Sequence, residues 1–197
     1  MRLVLGLGNP GERYARTRHN VAWRVLDELA RRHGATPDED VAEYRTRRIR
    51  AAGDELVLME PRTFMNASGE ALAAWWGRHE AGPGSAGLLV VTDDVYLPLG
   101  LIRLRGRGTS GGHRGLESVQ QAVGSREYAR LRIGVGAAES SAELREHLLD
   151  EVAPEEQPAL EEAIRLAADA VERWVSEGLL AAMNEFNRRV RKEVSES

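Results

Sequence analysis

The apolar run Leu3-Val4-Leu5 leads straight into Gly6-Leu7-Gly8-Asn9-Pro10-Gly11, and this join constrains the fold more than anything else in the chain. The run does not alternate, so it reads as a strand buried on both faces, as in a helix-covered α/β sheet. The glycines allow a sharp turn and a close approach at the strand end. Arg18-His19-Asn20 follows before the next helical pattern begins. An imidazole is the side chain best suited to move a proton at neutral pH, and here it stands between polar residues rather than on an apolar face. Few structural loops need that combination, and it points to an enzyme.

The remaining pattern alternates strands and helices. Val21, Val25, Leu26 and Leu29 repeat at helical spacing over 20–33, with Gly34 as the stop. Segments 45–50 and 55–60 read as a hairpin around Gly53-Asp54. A helix is expected over 69–79 and a loop over 80–87. A short buried strand is expected at Leu88-Leu89-Val90-Val91, with Asp93 and Asp94 just past its end. Residues 100–105 alternate apolar side chains with arginine, 106–115 carry five glycines and read as a loop, and a helix near 115–123 and a strand near 130–136 follow. Leu160, Ile164, Ala167, Val171, Trp174 and Val175 form one stripe of a long helix that ends at Gly178, and Leu179, Leu180, Met183 and Phe186 suggest another. There are no repeats and no linker. The expected architecture is a single α/β domain over 1–197, a mixed, mostly parallel twisted sheet with helices on both faces.

A chain of 197 residues with 42% hydrophobic residues suits one well-filled core. No apolar run is long enough to cross a membrane, and Met1-Arg2-Leu3-Val4-Leu5 lacks the features of a secretory signal. The absence of cysteine excludes disulfides, thiolate chemistry and cysteine-based zinc sites. A cytoplasmic protein is expected. The net charge is −4, yet 98–136 hold seven arginines against Glu117 and Glu127. That excess fits either a phosphate-binding face or an ordinary solvated surface.

Gly6-x-Gly8-x-x-Gly11 matches the dinucleotide-binding fingerprint literally, but the segment after Gly11 shows no helical stripe and Pro10 removes an N–H from the turn. A cofactor is therefore not expected. Asp93, at a strand end, is the natural carboxylate partner for His19, with Asp94 competing for the role. Asn66, in Pro61-Arg62-Thr63-Phe64-Met65-Asn66, fits two readings: it, or Ser68, caps the helix that follows, or its NH2 group donates to a substrate carbonyl or oxyanion. Arg103 and Arg105 share a strand face, Arg130 and Arg132 repeat the alternation, and the set suggests a phosphate clamp. The five histidines are scattered without an i, i+4 pair, so no metal site is expected, and no serine elbow occurs.

Together these blocks resemble the bacterial-type peptidyl-tRNA hydrolase family. The resemblance rests on Gly6-Leu-Gly-Asn9-Pro-Gly11 with Tyr14, Thr17-Arg-His19-Asn20, Pro61-Arg-Thr-Phe64-Met65-Asn66 with Ser68-Gly69, and Asp93. It continues through Leu97-Pro98 with Gly100, Gly111-Gly-His113, Gly115-Leu116, Arg130-Leu-Arg-Ile-Gly134, and Met183-Asn184 with Phe186-Asn187. It implies hydrolysis of the ester between a peptide and the terminal ribose of tRNA, by a monomer without metal or cofactor. It also implies His19 as the base and Asp93 as its orienting acid. Asn9 and Asn66 would bind near the scissile ester, Tyr14, Phe64 and Met65 would shape the pocket, and Arg105 and Arg132, with Arg103 beside them, would contact phosphates.

The chain departs from the family in places. Arg114 stands where an asparagine of the substrate site is usual, Ala22 where glycine is usual, Tyr96 where a second acid is common, and Ala137 where the strand motif usually continues into Arg-Pro. An amide donates and accepts, whereas Arg114 only donates and carries a permanent charge. The second reading is accordingly a divergent paralogue that binds RNA with weak or no hydrolysis.

Overall fold

The structure is a computed structural model and describes residues 2–80, 87–137 and 143–196, with side chains described as far as residue 187. In chain order the elements are β1 (Arg2–Gly6), α1 (Val21–His33), β2 (Thr36–Asp40), β3 (Tyr44–Ala51), β4 (Asp54–Pro61), α2 (Ser68–Arg78) and β5 (Leu88–Asp94). They continue with β6 (Ile102–Arg105), α3 (Arg114–Val123), β7 (Ala129–Gly134), α4 (Leu144–Leu149), α5 (Gln157–Glu177) and α6 (Leu179–Glu196).

The seven strands form one sheet in the order β2-β3-β4-β1-β5-β7-β6. β1 lies between β4 and β5 and runs parallel to both, and β7 runs parallel to β5. The flanks reverse: β3 is antiparallel to β4, β2 to β3, and β6 to β7. The sheet is thus parallel through its centre and antiparallel at both sides. Val4 faces the core beneath α1, α5 and α6, while Leu3 and Leu5 face the core beneath α2 and α3. Burial on both faces explains why β1 shows no alternation.

Local chemistry sets several boundaries. α1 ends at Gly34, which adopts the left-handed conformation (φ 61°). The β3–β4 hairpin turns through Ala52 and Gly53, both at positive φ, as a type I′ connection requires. The outer edge of β6 is closed by one amide: Asn187 of α6 accepts from the Leu104 N–H (2.9 Å) and donates to the Leu104 carbonyl (3.1 Å).

Three details differ from expectation. Asp93 and Asp94 are the last residues of β5 rather than residues beyond it. β2 was not anticipated; its polar residues are held from β3, with Arg48 pairing with Asp38 at 2.8 Å. α4 was not anticipated either. The loop expected over 80–87 falls mostly on 81–86, outside the described residues.

The first glycine motif serves packing. A Cβ on Gly8 would lie 2.6 Å from Nε1 of Trp23 on α1, whose indole N–H donates to the Gly6 carbonyl at 3.0 Å. After Gly11 comes only a three-residue 3-10 turn, Glu12–Tyr14, so no long helix opens where a pyrophosphate would need one.

Gly69 has a comparable role between α2 and α3. Its N–H donates to Ser118 Oγ at 2.9 Å, and a Cβ there would sit 2.1 Å from the Ser118 carbonyl oxygen. That obstacle is backbone and cannot rotate away. Gly69→Ala is expected to lower the unfolding free energy by about 3 kcal/mol, the upper end for overpacking, measured as a shifted urea midpoint. An unchanged midpoint would show that the two helices are free to part.

Candidate active site

His19 sits in a 3-10 turn, Arg18–Asn20, directly before α1. Its neighbours are anchored on both sides. Arg18 is buried, donates from Nη1 to the Val135 carbonyl at 2.8 Å and pairs with Glu156 at the start of α5. Asn20 is fully buried and exchanges two hydrogen bonds with the backbone of Asn9, each 2.9 Å. The two anchors leave the imidazole to project into a cleft of about 650 Å³.

The Asp93 carboxylate meets that imidazole from the end of β5. Its Oδ1 lies 2.9 Å from His19 Nδ1 and 3.0 Å from His113 Nε2. His113 caps α3, with Nδ1 accepting the backbone N–H groups of Gly115 and Leu116 at 3.1 and 3.3 Å. An accepting Nδ1 puts the His113 proton on Nε2, facing Asp93 and Thr92 Oγ1. Asp93 therefore receives donors from both rings. Burial pushes its carboxyl up, but the charge and hydrogen bonds of His19 and His113 outweigh burial and hold it well below the usual carboxylate range. For His19, burial acts to lower the imidazole; the Asp93 charge and hydrogen bond prevail and hold it above 6.5. With Nδ1 donating to Asp93, His19 Nε2 carries the lone pair that faces the cleft.

Asp94, the competing acid, is engaged elsewhere. Its Oδ1 accepts from the Tyr96 N–H (2.9 Å), and its Oδ2 lies 3.3 Å from Arg132 Nε.

On one flank the cleft is lined by amides. Asn9 Oδ1 accepts from the Met65 N–H at 2.9 Å, which commits its oxygen and leaves its NH2 group without a partner among the described residues. Asn66 lines the cleft, is exposed and makes no side-chain hydrogen bond among the described residues. It is not a helix cap, and neither is Ser68, whose hydroxyl donates to the Met65 carbonyl. Phe64 is exposed here, Met65 is nearly buried, and Tyr14 lies beside Arg13, which bonds its hydroxyl.

The cleft is also lined by cations, and the start of α3 that carries Arg114 packs against the Met65–Ala67 turn that holds Asn66. Arg114 lines the cleft as the first residue of α3, exposed and without a partner among the described residues. A cation at a helix N-terminus opposes the helix dipole, so this position does not stabilise α3. Arg132 lines the cleft, and Arg103 stands opposite it across the β6–β7 pair, with Arg105 opposite Arg130. Like charges directly opposed cost stability unless an anion joins them. Arg130 leaves the expected clamp: it is buried, donates to the carbonyls of Gly108 and Arg126, and lies 3.9 Å over the Tyr128 ring. It shapes the glycine loop instead of meeting solvent.

Sequence reasoning missed the part His113 plays. The histidines that look scattered in the chain bring two imidazoles to 5.2 Å, centroid to centroid. The signal was the Gly-Gly-His motif ahead of an apolar helix, but histidine is not a usual cap. The set His19, Asp93 and His113 presents ligand-type atoms within 4.8 Å of one another. The donor chemistry does not suit a cation: His113 Nδ1 is committed to two backbone N–H groups, so binding through Nε2 would require removing its last ring proton.

No hydroxyl among the described residues bonds His19 Nε2, and the sequence has no cysteine. A carboxylate-backed imidazole facing a cleft fits a hydrolase, and likeness to known proteins agrees. The peptidyl-tRNA hydrolase family model matches residues 3–195. A peptidyl-tRNA hydrolase of Chloroflexus aggregans is 44% identical over 95% of this chain and 99% of its own, and one of Syntrophomonas wolfei is 41% identical over 95% and 100%. The crystal structure of the Acinetobacter baumannii peptidyl-tRNA hydrolase superposes with a TM-score of 0.87 at 32% identity, covering 95% of this chain and 94% of that one. The chain belongs to the peptidyl-tRNA hydrolase family. A uridine phosphorylase of Vibrio fischeri, 9% identical with a TM-score of 0.51, shares the general fold alone.

Proposed function

We propose that this chain hydrolyses the ester bond of peptidyl-tRNA, releasing the peptide and free tRNA, with His19 as general base. The observation that carries this reading is the Asp93–His19 pair opening onto a cleft lined by both amides and arginines. His19 Nε2 removes a proton from water as the oxygen attacks the ester carbonyl. The NH2 groups of Asn9 and Asn66 donate to the peptide carbonyl and to the oxyanion that forms. As the intermediate collapses, His19 returns the proton to the departing ribose oxygen. Asp93 holds the required tautomer and stabilises the imidazolium, and His113 steadies Asp93 from the other side. Tyr14, Phe64 and Met65 border the peptide, while Arg103, Arg105 and Arg132 hold the acceptor arm by its phosphates. Arg114 adds a charge to the RNA side of the rim where an amide would have met the peptide. No metal or cofactor has a step here, and the enzyme acts as a monomer in the cytoplasm. No helix among the described residues is long and apolar enough to cross a membrane.

Purified protein incubated with N-acetylaminoacyl-tRNA tests the reading: release of the N-acetylamino acid is expected. Salt-sensitive RNA binding with no release would instead favour the second reading, an RNA-binding module on the same scaffold. Arg105→Ala is expected to raise KM about 3- to 10-fold and to flatten the dependence of log KM on log salt by about one unit, with kcat retained. An unchanged salt slope would remove Arg105 from the phosphate contacts.

A further inference from the structure

The described residues leave three large apolar side chains strongly exposed: Phe64, Tyr96 and Leu180. Phe64 and Tyr96 both line the cleft; Phe64 follows β4 and Tyr96 follows β5, the two strands that flank β1. Phe64 comes from the segment that carries Asn66. Tyr96 comes from the end of β5, where the Asp94 carboxylate fixes its backbone N–H and also holds Arg132. One buried acid thus places an aromatic and a cation on the same flank. The Tyr96 side chain is 75% exposed, and neither ring nor hydroxyl has a partner among the described residues.

We propose that Tyr96 is the platform on which the terminal base of the tRNA stacks. This rests on the reading of the reaction given above. The ribose that bears the scissile ester must come within reach of His19, and the phosphates behind it lie toward the arginines. The base on that same ribose then falls on the Tyr96 flank, while the acyl chain runs toward Asn9, Asn66 and Phe64. An exposed ring beside a cation suits a flat, unstacked base, because every base offers a π-face whatever its identity. Single-stranded RNA ends are bound in this way by aromatic side chains in general.

A cycle of protein and substrate changes tests the assignment. Wild type, Tyr96→Ala and Tyr96→Phe are assayed on N-acetylaminoacyl-tRNA and on the same substrate with an abasic terminal ribose. Tyr96→Ala is expected to raise KM for the intact substrate about 5- to 100-fold, to change kcat little, and to cost almost nothing on the abasic one. Tyr96→Phe should restore the low KM. A penalty that persists on the abasic substrate would mean that Tyr96 meets the peptide, and no penalty on either would mean that it meets neither; both outcomes overturn the assignment. Wild type inert toward both substrates would instead overturn the reading of the reaction on which it rests.

Discussion

His19→Ala is expected to lower kcat for N-acetylaminoacyl-tRNA by about 10²- to 10⁴-fold, the range for removing a positioned general base, while affinity for deacylated tRNA stays the same. The separation follows from the geometry. Among the described residues His19 makes one side-chain hydrogen bond, to Asp93, and the fold around it is held by its neighbours Arg18 and Asn20. Removing the imidazole therefore removes the base without loosening the turn. The arginines expected to grip RNA sit on other elements, β6, β7 and α3. Single-turnover cleavage and filter binding would read the two effects separately. A variant that keeps wild-type turnover would show that water is activated elsewhere in the cleft.

Asp93→Asn is expected to lower the plateau rate by about 10²-fold or more and to shift the pH profile. The base works only when neutral, so the rate rises with pH through the His19 pKa and levels off above it. In the native protein that inflection is expected above the ordinary imidazole value, because the Asp93 charge and hydrogen bond overcome burial. Asparagine removes the charge, leaves burial in place, and moves the inflection to lower pH. The substitution has a second cost. An amide oxygen can still accept from both imidazoles, but both bond the same oxygen, so if the amide turns, its NH2 group faces both ring N–H groups and both bonds are lost. An inflection that stays in place would mean that Asp93 does not tune His19.

Much of the fold was legible because its cues are local. Val21, Val25, Leu26 and Leu29 mark α1, Gly34 marks its end, and the turn at Gly53 marks the hairpin. β2 was hidden because Thr36–Asp40 carries no apolar face; it is an edge strand held by charge pairs to β3, which only the tertiary structure supplies. The pairing of His19 with Asp93 could be read from residue type and position, whereas Asn9 entered only through the family resemblance. Two polar assignments could not. Arg130 and Arg132 have the same alternation, yet a glycine loop lies over the first and the cleft over the second. Asn66 precedes a helix as a cap would, but the intervening 3-10 turn carries it out to the cleft. In both cases the decision rests on which loop folds over the strand end, and that depends on residues distant in the chain.

The central place of β1 has a consequence for the protein's own birth on the ribosome. β1 acquires its neighbours only when β4 and then β5 have been made, and His113, which seats Asp93, comes later still. A half-made chain has His19 but nothing to tune it. Throughout that interval the growing polypeptide is itself an ester of tRNA, and the site that would cut such a bond is not yet assembled.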